Sequence, residues 1–98
     1  MAVDILLLDL SGITLIADCF VVATGESERQ LRAMSRGLEA ELKTDHGVSP
    51  LSIEGSAAGG WILLDYGSVV VHLFSPVQRA RYDLEQLWSE ARTVVRMA

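Results

Sequence analysis

The sequence has little of what several classes of protein require. A single cysteine, Cys19, excludes a disulfide framework and a cysteine-rich zinc site, and it fits a reducing compartment. Lysine and arginine number 8 against 13 aspartates and glutamates, so the formal net charge is −5. A chain of this charge is a poor bulk binder of nucleic acid, although a local basic stripe remains an option.

We also expect no targeting segment, linker or internal repeat in this sequence. Residues 1–4 carry no lysine or arginine, so we expect no secretory signal there. The apolar stretch 5–23 contains Asp9 and Asp18, and carboxylates are costly inside a bilayer, so we expect no membrane span. With 98 residues and no tract rich in proline or serine, we predict one domain over residues 1–98.

What the chain does have is apolar surface. Half of its residues are hydrophobic, and its mean hydropathy is +0.32. A domain of this size buries only about two-thirds of the surface of its unfolded chain. The apolar residues therefore either fill a lean core or stay exposed for a partner.

The hydrophobic periodicity predicts an α/β domain with a single mixed sheet of about five strands. The predicted element order is β-β-α-β-β-β-α, followed by a frayed tail over residues 89–98. A central helix and a final helix that begins at Pro76 accompany the strands. The predicted strands are 4–10, 19–24, 51–54, 61–65 and 68–74, and the central helix is 27–43.

The central helix has a clear start and one apolar stripe. Ser27 and Gln30 have the spacing of a capping box. Gly37 in the middle of the helix is unfavourable, so we expect it to mark a close packing contact. The apolar stripe comprises Leu31, Met34, Leu38 and Leu42.

The last two strands predict a hairpin with two unlike faces. A two-residue turn at Tyr66–Gly67 would pair Leu64 with Val69 and Ile62 with Val71. The aliphatic face then comprises Ile62, Leu64, Val69, Val71 and Leu73. The mixed face comprises Trp61, Leu63, Asp65, Ser68, Val70, His72 and Phe74.

The mixed face has two interpretations that the sequence leaves open. Aromatic residues, a histidine and a carboxylate among aliphatic residues are typical of a recognition surface. Alternatively, the last helix covers this face and the tryptophan belongs to the core.

Other polar residues point less clearly to a function. A basic stripe on the central helix is a candidate contact to RNA phosphates or a solvated helix face, and it comprises Arg29, Arg32, Arg36 and Lys43. His72 and Asp65 share a face without an obvious nucleophile, and the histidines lack metal-ligand spacing. We therefore predict no catalytic residue, no metal and no cofactor.

Three linked motifs nevertheless resemble one known family. They are Trp61-x-Leu63-x-Asp65-Tyr66-Gly67, Val71-His72-x-Phe74 and Tyr82-x-Leu84-Glu85-x-Leu87-Trp88. Their combination is similar to the ribosomal silencing factor (Iojap-like) family, and the resemblance spans Asp4 to Trp88. Members of that family usually carry a further helix before the first strand, so we expect that helix to be missing here.

The resemblance implies a nucleotidyltransferase-like fold without the catalytic carboxylates, and no enzyme activity. It implies binding to the large ribosomal subunit through its ribosomal protein fourteen. That binding would block the joining of the small subunit and repress translation when nutrients are scarce. It also implies a homodimer in the free state and a location in the cytoplasm, or in an organellar matrix in a eukaryote.

The mixed face and its neighbours are the expected contact with the ribosomal protein. The predicted contact residues are Trp61, Leu63, Asp65, Tyr66, Val70, His72, Phe74 and Tyr82. Two other functions stay open: a nucleotidyltransferase-like enzyme and a plain dimerising adaptor. The enzyme would need a metal-binding carboxylate pair after a Gly-Ser turn, and the sequence after Gly25 lacks one.

Overall fold

A computed structural model of the chain describes residues 3–11, 17–84 and 92–97. The predicted α/β class with a single mixed sheet is confirmed. The elements are β1 (Val3–Asp9), β2 (Cys19–Thr24), α1 (Glu28–His46), β3 (Ser52–Ser56), β4 (Trp61–Asp65), β5 (Val69–Phe74), α2 (Pro76–Tyr82) and β6 (Arg92–Met97).

Within the described residues, the sheet has six strands in the order β3-β4-β5-β2-β1-β6. Its central pair, β2 and β5, is parallel, and every other neighbouring pair is antiparallel. The strand β6 corrects the prediction of a frayed tail, since residues 92–97 pair with β1. The β-branched run 93–95 suits a strand, and β1 offers it unpaired backbone groups. Residues 89–91 and 98 lie outside the described residues.

The β4–β5 hairpin turns one residue later than predicted. Leu64 pairs with Val71 and not with Val69, and the Tyr66 N–H donates to the Val69 carbonyl at 2.9 Å. Gly67 has a φ of 89°, which suits the first position of a turn at Gly67–Ser68. Each residue of β4 therefore pairs with the β5 residue two positions beyond the predicted one. Because side chains alternate between the two faces of a strand, a shift of two residues leaves both predicted faces with the same members.

The helix α1 covers the aliphatic face. The Ser27 hydroxyl accepts from the Gln30 N–H at 3.1 Å and caps the start of the helix. Gly47, with a φ of 65°, ends it three residues beyond the predicted boundary. Leu31 is 1% exposed and packs among the aliphatic side chains Ala23, Ile62, Leu64, Val71 and Leu73.

Side chains next to β1, β2 and α2 in the sequence cover part of the mixed face. Leu10, Ala17 and Leu84 pack there against buried residues of β1, β2 and β5. The helix α2 lies beside β5 and is capped at its C-terminal end by Asp83, whose φ is 43°. The final helix was predicted to begin at Pro76 and to precede a tail that starts at residue 89, and residues 85–91 lie outside the described residues. No helix within the described ranges has the length and apolar composition needed to cross a membrane.

Gly37 does not mark a close contact, so that prediction is wrong. It is exposed on α1, and a Cβ added there would meet no atom within 4 Å. The glycine therefore weakens the helix without a packing benefit.

Replacing Gly37 with alanine should stabilise the protein. The substitution gains about 1 kcal/mol of helix propensity at an open site. A domain of this size should then melt roughly 4–8 °C higher. Thermal unfolding followed by circular dichroism at 222 nm measures the shift.

Gly55 provides a matched control, because its substitution should change the melting temperature in the opposite direction. Its φ is 80°, and an added Cβ would lie 2.1 Å from the Trp61 carbonyl oxygen. Gly55→Ala should therefore lower the melting temperature in the same assay. An unchanged or lower melting temperature for Gly37→Ala would contradict the open-site argument.

Candidate protein-binding site

Much of the mixed face is core. Val70, His72 and Phe74 are 6%, 5% and 1% exposed. Direct contact with a partner, predicted for these three residues, is not available to buried side chains. The core interpretation of this face therefore holds for its β5 half.

The β4 half of the mixed face stays partly open. Trp61 and Leu63 are half-buried, and Tyr82 of α2 is 44% exposed. The Trp61 ring centroid lies 4.4 Å from that of Tyr82 and 5.1 Å from that of Phe74. We call Trp61, Leu63 and Tyr82 the aromatic patch, because its two rings pack against the buried ring of Phe74.

A cavity of about 210 Å³ adjoins the aromatic patch. Trp61 and Leu63 line it together with Glu54 and Gly55 of β3. Sequence reasoning missed Glu54 and Gly55. Only the antiparallel pairing of Glu54 with Leu63 brings them to the site, and no local motif signals that pairing.

Tyr66 lies on the opposite side of the sheet from the aromatic patch. It packs against the core beneath α1, and its hydroxyl is buried with no hydrogen-bond partner. Burial, and to a smaller extent the Glu39 carboxylate, raises the pKa of Tyr66 above its ordinary value. The predicted grouping of Tyr66 with the mixed face is therefore wrong, because the turn directs this side chain toward α1.

Asp65 is bound to its own hairpin. Its Oδ1 atom accepts a hydrogen bond from the Gly67 N–H at 2.8 Å. The half-buried carboxylate thus stabilises the turn at Gly67–Ser68. The described residues hold no group of three histidine, cysteine, aspartate or glutamate side chains that would bind a metal.

His72 connects the core to the aromatic patch. Its Nδ1 atom accepts a hydrogen bond from Trp61 Nε1 at 3.2 Å. The Phe20 ring meets the imidazole edge to face, with centroids 4.7 Å apart. Burial lowers the pKa of His72 to about 4, so the ring is neutral at physiological pH.

The basic stripe lies on the exposed side of α1, away from the aromatic patch. All four of its cations are exposed, and Arg32 pairs with the Glu28 carboxylate at 2.9 Å. Arg36 and Lys43 line a shallow groove of about 450 Å³ together with Glu39. Carboxylates therefore interrupt the stripe, which weakens its attraction for phosphate.

The sheet and the aromatic patch together define a small α/β domain with the surface features of a binding module. The family profile described as "Ribosomal silencing factor during starvation" matches residues 1–97. The chain therefore belongs to the ribosomal silencing factor family, and the resemblance seen in its motifs is confirmed.

Individual relatives agree with this assignment. The chain is 40% identical over 90 residues to "Ribosomal silencing factor RsfS" of Bacillus subtilis, covering 92% of this chain and 75% of that protein. A crystal structure of a Chromobacterium violaceum protein superposes with a TM-score of 0.84 at 38% identity, covering 99% of this chain and 82% of the other. "Mitochondrial assembly of ribosomal large subunit protein 1" of Mus musculus is 39% identical over 77 residues, covering 74% of this chain and 32% of that protein.

The buried histidine should make stability depend on pH. The pKa of His72 is lower in the folded state than its ordinary value of 6.5, so the folded state favours the neutral ring. Its contribution is complete above pH 6.5 and is lost as the pH falls toward 4. We expect His72 to account for a loss of unfolding free energy on the order of 3 kcal/mol across that window. Urea titrations at stepped pH measure it.

A matched pair of variants isolates this effect from the titration of carboxylates. His72→Phe should flatten the decline between pH 6.5 and 4, whereas His46→Gln should keep it, because His46 is exposed at the end of α1. An equal decline in both variants would contradict the burial argument.

Proposed function

We propose that the chain silences ribosomes by binding the large ribosomal subunit through its ribosomal protein fourteen. The bound domain blocks the joining of the small subunit and represses translation under nutrient limitation. Its site of action is the cytoplasm, or an organellar matrix in a eukaryote. The family assignment supports the general role, and the contact surface is argued from the site.

The observation that supports the proposed contact surface is the aromatic patch. The rings of Trp61 and Tyr82 pack against each other with centroids 4.4 Å apart and both contact Phe74, yet both residues keep exposed surface. Large rings held rigidly at a surface lose little conformational entropy on binding and are frequent hot spots. Trp61 is the central contact, and Leu63 and Tyr82 flank it.

The mechanism is steric and needs no bond chemistry. A domain seated on the joining surface of the large subunit excludes the small subunit by occupying its place. The half-buried Asp65 has a structural partner in the Gly67 N–H, which gives it a role in shaping the hairpin. The chain acts without a cofactor.

The aromatic patch also supports the dimerising alternative. In the free state, a second copy would cover the same apolar surface and shield it from water. We include such a homodimer in the proposal as the resting form of the protein. A dimer that forms without any binding to the large subunit would favour the plain adaptor.

The basic stripe has a secondary place in this proposal. Its exposed cations would contact ribosomal RNA phosphates only at the periphery, because Glu28 and Glu39 lie among them. Such contacts would weaken steeply with added salt.

Co-sedimentation with isolated large ribosomal subunits tests the proposal. The wild-type protein should pellet with the subunits at low salt and should reduce joining of the small subunit in sucrose gradients. Trp61→Ala should weaken binding by about 30-fold or more, as expected for a central aromatic residue. Tyr82→Ala, at a 44% exposed position, should weaken binding with a smaller effect on folding.

Leu51→Ala is the matched control. Leu51 is apolar and 76% exposed but lies outside the aromatic patch, so its loss should leave binding unchanged. Absence of wild-type binding to large subunits would overturn the proposed function. Equal losses from Leu51→Ala and Tyr82→Ala would overturn the assignment of the contact surface.

A further inference from the structure

His72 is a polar residue in a place that disfavours one. It is 5% exposed, and its Nε2 atom is buried with no hydrogen-bond partner. A buried donor without an acceptor loses its hydration and gains nothing in exchange. A phenylalanine in the same position would avoid that loss, so the imidazole calls for an explanation.

The other ring nitrogen of His72, Nδ1, provides this explanation. Trp61 Nε1 donates to His72 Nδ1 across 3.2 Å. Since an indole nitrogen only donates, Nδ1 must be unprotonated and the neutral ring carries its proton on Nε2. The lowered pKa of His72 keeps this acceptor available throughout the physiological range.

The hydrogen bond selects one orientation of the indole. Tilted contacts with the Tyr82 and Phe74 rings, at interplanar angles of 44° and 30°, hold the plane of the Trp61 ring. A half-turn of the ring about its second side-chain torsion would keep that plane but move Nε1 to the opposite edge and bring the six-membered ring to the side that Nε1 leaves. The half-turn would also break the bond to His72, so this bond adds to ring packing in favouring the observed orientation.

We infer that His72 is a positioning residue for partner binding. Its Nδ1 atom holds the Trp61 indole in the single orientation that the partner protein meets. His72 acts from the core through Trp61 and does not touch the partner, which replaces the direct contact expected from the sequence. The effect on partner binding rests on the proposed function, whereas the orientation of the indole is a property of the domain without its partner.

The orientation is measured first, on the free domain. A ¹H–¹⁵N spectrum of the full chain should show two indole N–H signals, and Trp61→Phe identifies that of Trp61. In His72→Phe, this signal should shift, and its proton should exchange with water about fivefold to tenfold faster, as expected for loss of one hydrogen bond. An unchanged shift and exchange rate would overturn the inference.

Binding to large subunits is measured next, as a double-mutant cycle. His72→Phe should weaken binding about fivefold to tenfold while its melting temperature stays equal or rises. In the Trp61→Phe background, His72→Phe should have no further effect, because its route to the partner has been removed. An equal loss in both backgrounds would overturn the inference.

Rescue by a conservative variant separates positioning from packing. His72→Asn places an amide oxygen on Cγ, where histidine carries Nδ1, so it keeps an acceptor for the indole. It should restore the Trp61 signal and the binding relative to His72→Phe; failure to restore the signal in folded protein would overturn the inference. If wild-type protein does not bind subunits, the proposed function fails, and the indole signal still decides the orientation.

Discussion

The structure depends on the parallel pairing of β2 with β5 at the centre of the sheet. Six residue pairs, from Cys19–Val69 to Thr24–Phe74, join one antiparallel group, β6-β1-β2, to another, β3-β4-β5. A parallel pair needs a crossover between its strands, which here includes α1, β3 and β4. Without this pairing, the two antiparallel groups would share no backbone hydrogen bonds, and neither face of the sheet would be continuous.

The central pairing also creates the environment of the site. It brings Phe20 of β2 beside His72 of β5, where the two rings meet edge to face. The imidazole is thereby desolvated, which lowers its pKa and preserves Nδ1 as an acceptor for Trp61. A contact between distant parts of the chain thus sets the chemistry at the border of the aromatic patch.

Much of the fold follows from local patterns. The capping residues Ser27 and Gly47 and the stripe through Leu31 place α1 within a few residues of its observed ends. The alternation of side chains along β4 and β5 identifies both faces of the hairpin. The turn was misplaced by one residue, which changes each pairing partner by two residues and therefore keeps every side chain on its predicted face. The strand β6 was missed because its stability comes from pairing with β1 rather than from an alternating pattern of its own.

By itself, the sequence determined the family, the fold class, the central helix and which side chains of the hairpin share a face. Local propensity and periodicity carry that information. Only the tertiary structure decided which of those side chains are accessible. Phe74 and Trp61 lie on the same face, yet α2 and Leu84 enclose the first and leave the second partly open. Accessibility depends on the packing of distant segments, and for that reason the predicted contact surface narrows to the aromatic patch.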